Sequence, residues 1–134
     1  MYKNYRAGIG NVGSYQVAGR PFITGSSELK DSEEHKIAFP SVARSFTVIN
    51  RATPDIRVHF HSTSSYSTVI DDKHYITLDS TNTSVTMNVK CKEIYITRDP
   101  SIEASTDAQY EIFAELTQIA VEEMPDFSGS GLTD

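Results

Sequence analysis

The stretch Ser45-Phe46-Thr47-Val48-Ile49-Asn50-Arg51-Ala52-Thr53-Pro54-Asp55-Ile56-Arg57-Val58-His59-Phe60-His61 carries the pattern that decides the fold. Phe46, Val48 and Asn50 share one face of Ser45–Asn50, and Ile56, Val58 and Phe60 share one face of Asp55–His61. Successive strand residues point to opposite sides of a sheet, so alternation with period two marks a half-buried strand. Between the two runs, Arg51-Ala52-Thr53-Pro54 consists of turn formers.

The same reading extends outward. Tyr75-Ile76-Thr77-Leu78 is a strand, Ser84–Val89 another with Val85, Met87 and Val89 aligned, and Lys92–Thr97 a third with Ile94 and Ile96 inward. Ser62-Thr63-Ser64-Ser65, Asp79-Ser80-Thr81-Asn82 and Arg98-Asp99-Pro100 separate them as turns. His35–Pro40 is expected to be an edge strand ended by its proline, which cannot donate to a ladder, and Gln16–Thr24 a further extended segment. After Ala108 two patterns compete. Tyr110, Ile112, Ala114 and Leu116 alternate, whereas Ile112, Phe113, Leu116, Ile119 and Ala120 form a helical stripe that Thr106 or Asp107 would cap. The strand-prone Tyr, Ile, Phe and Thr favour a strand at 109–117, followed by a helical turn before Pro125. The sum is an all-β chain, an antiparallel β-sandwich or jelly roll of seven to eight strands with extended N- and C-terminal arms.

Glycine and charge divide the chain. All seven glycines lie at Gly8, Gly10, Gly13, Gly19, Gly25, Gly129 and Gly131. Residues 1–25 carry three bases and no acid, residues 26–98 nine of each, and residues 99–134 nine acids and no base, which gives +3, 0 and −9 and a net −6. We therefore read 1–25 as an extended Gly-rich basic arm, 26–124 as the sandwich domain and 125–134 as a C-terminal tail. A length of 134 residues suits one domain with its own core. Aromatics interleave with the arm's glycines, and disordered segments are poor in aromatics, so the arm is expected to lie on a partner's surface. The partner-binding residues expected on this ground are Tyr2, Lys3, Tyr5, Arg6, Tyr15, Arg20, Phe22 and Ile23.

Composition excludes several classes. A net charge of −6 argues against nucleic-acid binding, which rests on neutralising phosphates with Lys and Arg. The lone Cys91 forms no disulfide framework and is expected to point inward with Val89. Met1–Arg6 has no apolar core of a signal peptide, and no stretch of about 18 apolar residues is present, so the expectation is a soluble protein made in the cytosol with no membrane partner.

Searches for chemistry return little. His59 and His61 would share a strand face and so offer two metal ligands, with His74, Asp71 or Asp72 as a third. Arg57 on that face sets a cation beside any metal, and the downstream Glu and corner glycines of metal-binding jelly rolls are missing, so histidines facing solvent or an interface are expected instead. Asp71-Asp72 reads as an acidic turn. Gly-x-Ser-x-Gly is absent, Cys91 lacks the flanking residues of a nucleophile, and the spacing Gly8-Ile9-Gly10-Asn11-Val12-Gly13 neither follows a strand nor opens a helix. The expectation is no catalytic residue, no metal, no cofactor and no enzymatic activity.

Gly13-Ser14-Tyr15-Gln16-Val17-Ala18-Gly19-Arg20-Pro21-Phe22-Ile23-Thr24-Gly25, the runs Phe46–Asn50 and Asp55–Phe60, Asn88–Ile96 and the terminal Gly129-Ser130-Gly131-Leu132-Thr133-Asp134 together resemble small virion structural proteins of tailed bacteriophages. The resemblance covers most of the chain and involves no mechanistic motif. It implies a β-sandwich with terminal arms, made in the host cytoplasm and placed on the capsid surface as a head decoration (cement) protein. Its partners would be the major capsid protein and further copies of itself, with a trimer expected. A tail or baseplate component that binds a host receptor or carbohydrate through Tyr66, Tyr75 and Tyr95 is the alternative, and a metal-dependent jelly-roll enzyme the third class.

Overall fold

The computed structural model describes residues 20–64, 68–100 and 106–133. Seven strands follow in chain order: β1 Pro21–Leu29, β2 Glu34–Ala52, β3 Ile56–His59, β4 Ile76–Leu78, β5 Ser84–Met87, β6 Cys91–Arg98 and β7 Ala108–Leu116, with a short helix α1 at Thr68–Asp71 and a 3-10 turn at Val121–Glu123. All pairings are antiparallel and form one open sheet in the order β1-β7-β2-β6-β3-β4, with β5 also on β2. The fold is all-β and sandwich-like. The segment 108–116 is a strand and 121–123 a helical turn, as β propensity favoured over the competing stripe.

The sheet becomes two layers because β2 takes part in both. Its first part, Glu34–Ala38, pairs with Thr97–Glu93 of β6. Its second part pairs with β7 on one edge and with β5 on the other. β5 and β6 therefore run end to end along one edge of β2, interrupted at 88–90. The layer β5-β2-β7-β1 faces the layer β2-β6-β3-β4 across one core. Phe46, Val48, Ile112, Ala114 and Leu116 meet Ile37, Ile94, Ile96, Ile56, Val58 and Leu78, all buried. Two polar ties cross between the layers: His35 Nδ1 to the Tyr110 hydroxyl at 2.8 Å, and the Asn50 side-chain amide, which donates to the Leu78 carbonyl at 2.9 Å.

Pro40 does not end a strand. The ladder between β2 and β6 shifts register between Ala38 and Ala43, and Pro40 sits in that interruption, where no ladder N–H is required. Here β2 turns from one layer into the other. The corner is fixed by the end of β7: Val42 N–H donates to the Ile119 carbonyl (2.9 Å), Thr117 N–H to the Val42 carbonyl (2.8 Å), and the hydroxyls of Thr117 and Ser41 to the carbonyls of Val42 (2.6 Å) and Thr117 (2.7 Å).

Two further expectations are corrected. Pro21–Gly25 belong to the sheet, paired with Glu115–Glu111, so the boundary drawn at residue 25 falls inside β1. Gly25 is needed there for close approach: a Cβ would stand 2.6 Å from the Tyr110 carbonyl oxygen of the adjacent strand. Val89 is exposed in the link between β5 and β6, although Cys91 is fully buried. Burial pushes the Cys91 thiol up to about 12, which keeps it protonated.

The corner carries a stability expectation. Thr117→Val keeps shape but leaves the Val42 carbonyl without its hydroxyl donor and the Ile119 N–H without its acceptor. Urea unfolding should report a loss of about 1–3 kcal/mol, against much less for the exposed Thr77→Val; equal effects would remove the corner from its central place.

Candidate functional site

The two layers treat their outer faces differently. On the β6-β3 layer that face is polar and is covered by this chain itself. His59, opposite Tyr95 in the ladder, stacks on its ring with centroids 6.1 Å apart and planes at 5°. Its Nδ1–H donates to the His61 carbonyl at 2.8 Å, which leaves Nε2 to accept from the Thr97 hydroxyl at 3.2 Å. Glu34 accepts from both the N–H (2.8 Å) and the hydroxyl (3.0 Å) of Thr63. Arg57 stands 3.7 Å from Asp99 and lies over the Tyr75 ring, 4.5 Å from its centroid.

The histidine pair is not brought to one site. β3 ends at His59, so His61 leaves the ladder and lines a cleft, while the His59 ring is 1% exposed with both nitrogens engaged. Asp71 closes α1, Asp72 and His74 approach each other at 4.0 Å, and no group of three metal-ligating side chains occurs among the described residues. Of the three tyrosines, Tyr66 lies outside the described residues, Tyr75 is half-buried under Arg57 and Tyr95 is buried on His59, so no shared aromatic platform is formed by the two that are described.

The cleft, about 360 Å³, opens between this face and the C-terminal segment. Its walls are Phe60 and Phe127, edge to face at 5.7 Å. Its charges are paired within it: Lys36 with Glu93 at 3.6 Å and Lys92 with Asp126 at 2.6 Å. The hydrogen bond from Lys92 holds the Asp126 carboxyl below its ordinary range. Tyr95 donates to Glu93 at 2.5 Å, and burial, then that bond, raises the phenol's pKa.

The outer face of the β1-β7 layer is bare among the described residues. Ile23, opposite Phe113 in the ladder, is 74% exposed, and Phe113 is 40% exposed. Ile49 lies diagonal to Phe113 on the same face. Arg44 to Glu115 (2.5 Å) and Arg51 to Glu111 (3.7 Å) flank this apolar strip. Of the expected partner-binding residues, Tyr2, Lys3, Tyr5, Arg6 and Tyr15 lie outside the described residues. Arg20 is exposed at the start of β1, and Ile23 faces outward. Phe22 turns inward, edge-on to Phe39 at 5.6 Å, and is committed to this chain's own core. Phe113 was not foreseen, because only the register of β1 on β7 sets it beside Ile23.

His59 carries a pH expectation. Burial lowers its pKa below the ordinary 6.5. The unfolded chain then binds a proton that the folded chain does not, so the contribution is full above 6.5 and is lost as pH falls below it. Urea unfolding at about pH 7 and about pH 5 should show a decline with acidity that His59→Phe flattens; an unchanged slope would assign the decline to other groups.

Comparison with known proteins finds no matching family model, no similar curated protein and no similar solved structure.

Proposed function

We propose that the chain is a non-enzymatic structural protein that binds and stabilises a capsid surface as a decoration or cement protein, with the major capsid protein of a tailed bacteriophage as its partner. One arrangement supports this reading. The bare Ile23–Phe113 strip occupies the outer face of the layer whose edge strand follows the basic segment 1–20 in the sequence. Exposed apolar residues gathered on one rigid sheet face and rimmed by ion pairs have the anatomy of an interface, with an apolar centre and a charged rim. The capsid setting and the virion location come from the resemblance described above.

The cleft favours a second reading, a tail or baseplate component that binds a small polar ligand such as a carbohydrate. Aromatic walls would take the apolar face of a sugar, and lysines and carboxylates already paired with each other keep spare donors and acceptors for hydroxyl groups.

Occupancy on virus heads that lack this protein separates the two. The intact chain should bind heads, Phe113→Asp should weaken binding on the order of tenfold or more, and moderate salt should weaken it without abolishing it. Binding to tails alone, or binding to heads unaffected by Phe113→Asp, would remove the capsid reading from this face.

A further inference from the structure

We infer that β1 is a self-pairing edge, and that two copies of this chain join antiparallel through it about a twofold axis at Thr24. The Arg20 carbonyl accepts from Leu116 N–H at 2.8 Å, so by the alternation of an antiparallel ladder Phe22 and Thr24 also turn their main-chain groups toward β7. The N–H and C=O of Ile23 and Gly25 then face the edge that no described strand occupies. At the far end of the sheet β4 has three residues, and β5 has four, whereas β1 has nine. Native edges are protected by charge, proline, bulges or shortness, and the one register shift of β1 lies beyond Ser26, between Ser26 and Leu29. From Pro21 to Ser27 there is no charge, and the one proline stands at the start.

Charge then selects the occupant and the register. The strand is bracketed by Arg20 at its beginning and Glu28 near its end, both exposed. Up to the register shift between Ser26 and Leu29, a twofold axis at Thr24 pairs residues whose numbers sum to 48, Ile23 with Gly25 of the second copy, and it brings Arg20 to the irregular stretch that carries Glu28 of the second copy, at both ends of the joint. An axis one residue later, at Gly25, would instead set Arg20 against Lys30, and one residue earlier, at Ile23, would set it against Ser26. Only the Thr24 axis makes the strand complementary to itself.

Side chains fit the same register. Residues directly opposite in an antiparallel pair share a face, so the outward Ile23 of each copy covers the bare Gly25 of the other. Gly25 cannot fill that space itself, because a Cβ there meets the Tyr110 carbonyl oxygen at 2.6 Å. The two Ile23–Phe113 strips become continuous on one side of a joined sheet. The joint is twofold, where the sequence led to a trimer, and it does not rest on the capsid reading. Nine residues a side, Arg20 to Glu28, fall short of the roughly 800 Å² per partner of a stable complex, so the dimer is expected to be concentration-dependent.

Sedimentation of the full chain over a concentration series tests the proposal. The mass should rise to that of two chains, with amides of Ile23 and Gly25 protected from hydrogen exchange at high concentration and unprotected on dilution. Arg20→Glu alone and Glu28→Arg alone should each raise the dissociation constant on the order of tenfold, and the double swap should restore it. Ile23→Lys should raise it on the order of a hundredfold, with circular dichroism confirming that the monomer remains folded. Four results would each overturn the proposal: a monomer at every concentration, a monomer whose Ile23 and Gly25 amides are already protected by its own N-terminal segment, a dimer indifferent to all these substitutions, or single reversals that the double swap does not rescue.

Discussion

The fold depends on the bend in β2 between Ala38 and Ala43. A 19-residue strand is too long for one layer of so small a domain, and its two halves have different neighbours. Bending it makes one sheet into two layers that bury each other. The bend releases ladder positions, and those groups need partners, because a buried N–H or C=O without one costs about as much as a lost hydrogen bond. Thr117 and Ile119 supply them, with Thr117 giving both its N–H and its hydroxyl to Val42. The end of β7 thus serves as the clamp for the middle of β2, and the strip on β7 inherits its rigidity from that clamp.

From the corner, aromatic contacts run through the core. Phe22 meets Phe39, Phe39 meets Phe46, Phe46 meets Phe60 and Phe60 meets Phe127, at centroid separations from 5.6 to 6.4 Å. This series begins on the edge strand and ends in the cleft wall. Each pair adds about 0.5–1.5 kcal/mol beyond area burial, so the edge strand, the corner and the C-terminal segment are tied by packing as well as by the main chain.

Much of the fold was legible in the sequence, because period-two alternation depends only on neighbouring residues. Phe46, Val48, Ile56, Val58, Ile94 and Ile96 point inward as read. What was not legible depends on distant pairing. A proline looks like a strand end until the ladder is known to skip it, and Gly25 looks like part of a pliable arm until Tyr110 of β7 is seen beside it. The apolar strip joins Ile23 to a residue at position 113, a separation no local pattern spans. His59 and His61 were read as one face because the strand was taken to run through both; it stops at His59, and the chain turns so that one histidine holds the other's carbonyl.

Charge shows the same limit. By segment the chain is +3, 0 and −9, which reads as an acidic end opposed to a basic one. Folding dissolves much of that polarity. Five of the nine acids beyond residue 98 are matched to bases of the central segment: Asp99 with Arg57, Asp107 with Lys30, Glu111 with Arg51, Glu115 with Arg44 and Asp126 with Lys92. The exposed ones among these pairs contribute little stability, about 0–1 kcal/mol each, whereas Arg57 and Asp99 are largely buried, and all five cancel the long-range field of the acids they hold. The pairs beside the Ile23–Phe113 strip make its rim neutral, so that a partner of the proposed kind would meet an apolar face without strong repulsion of either sign. On the proposed reading, the salt-sensitive part of partner binding would then come from Lys3, Arg6 and Arg20, and the apolar strip, insensitive to salt, would set how tightly the face is held once met.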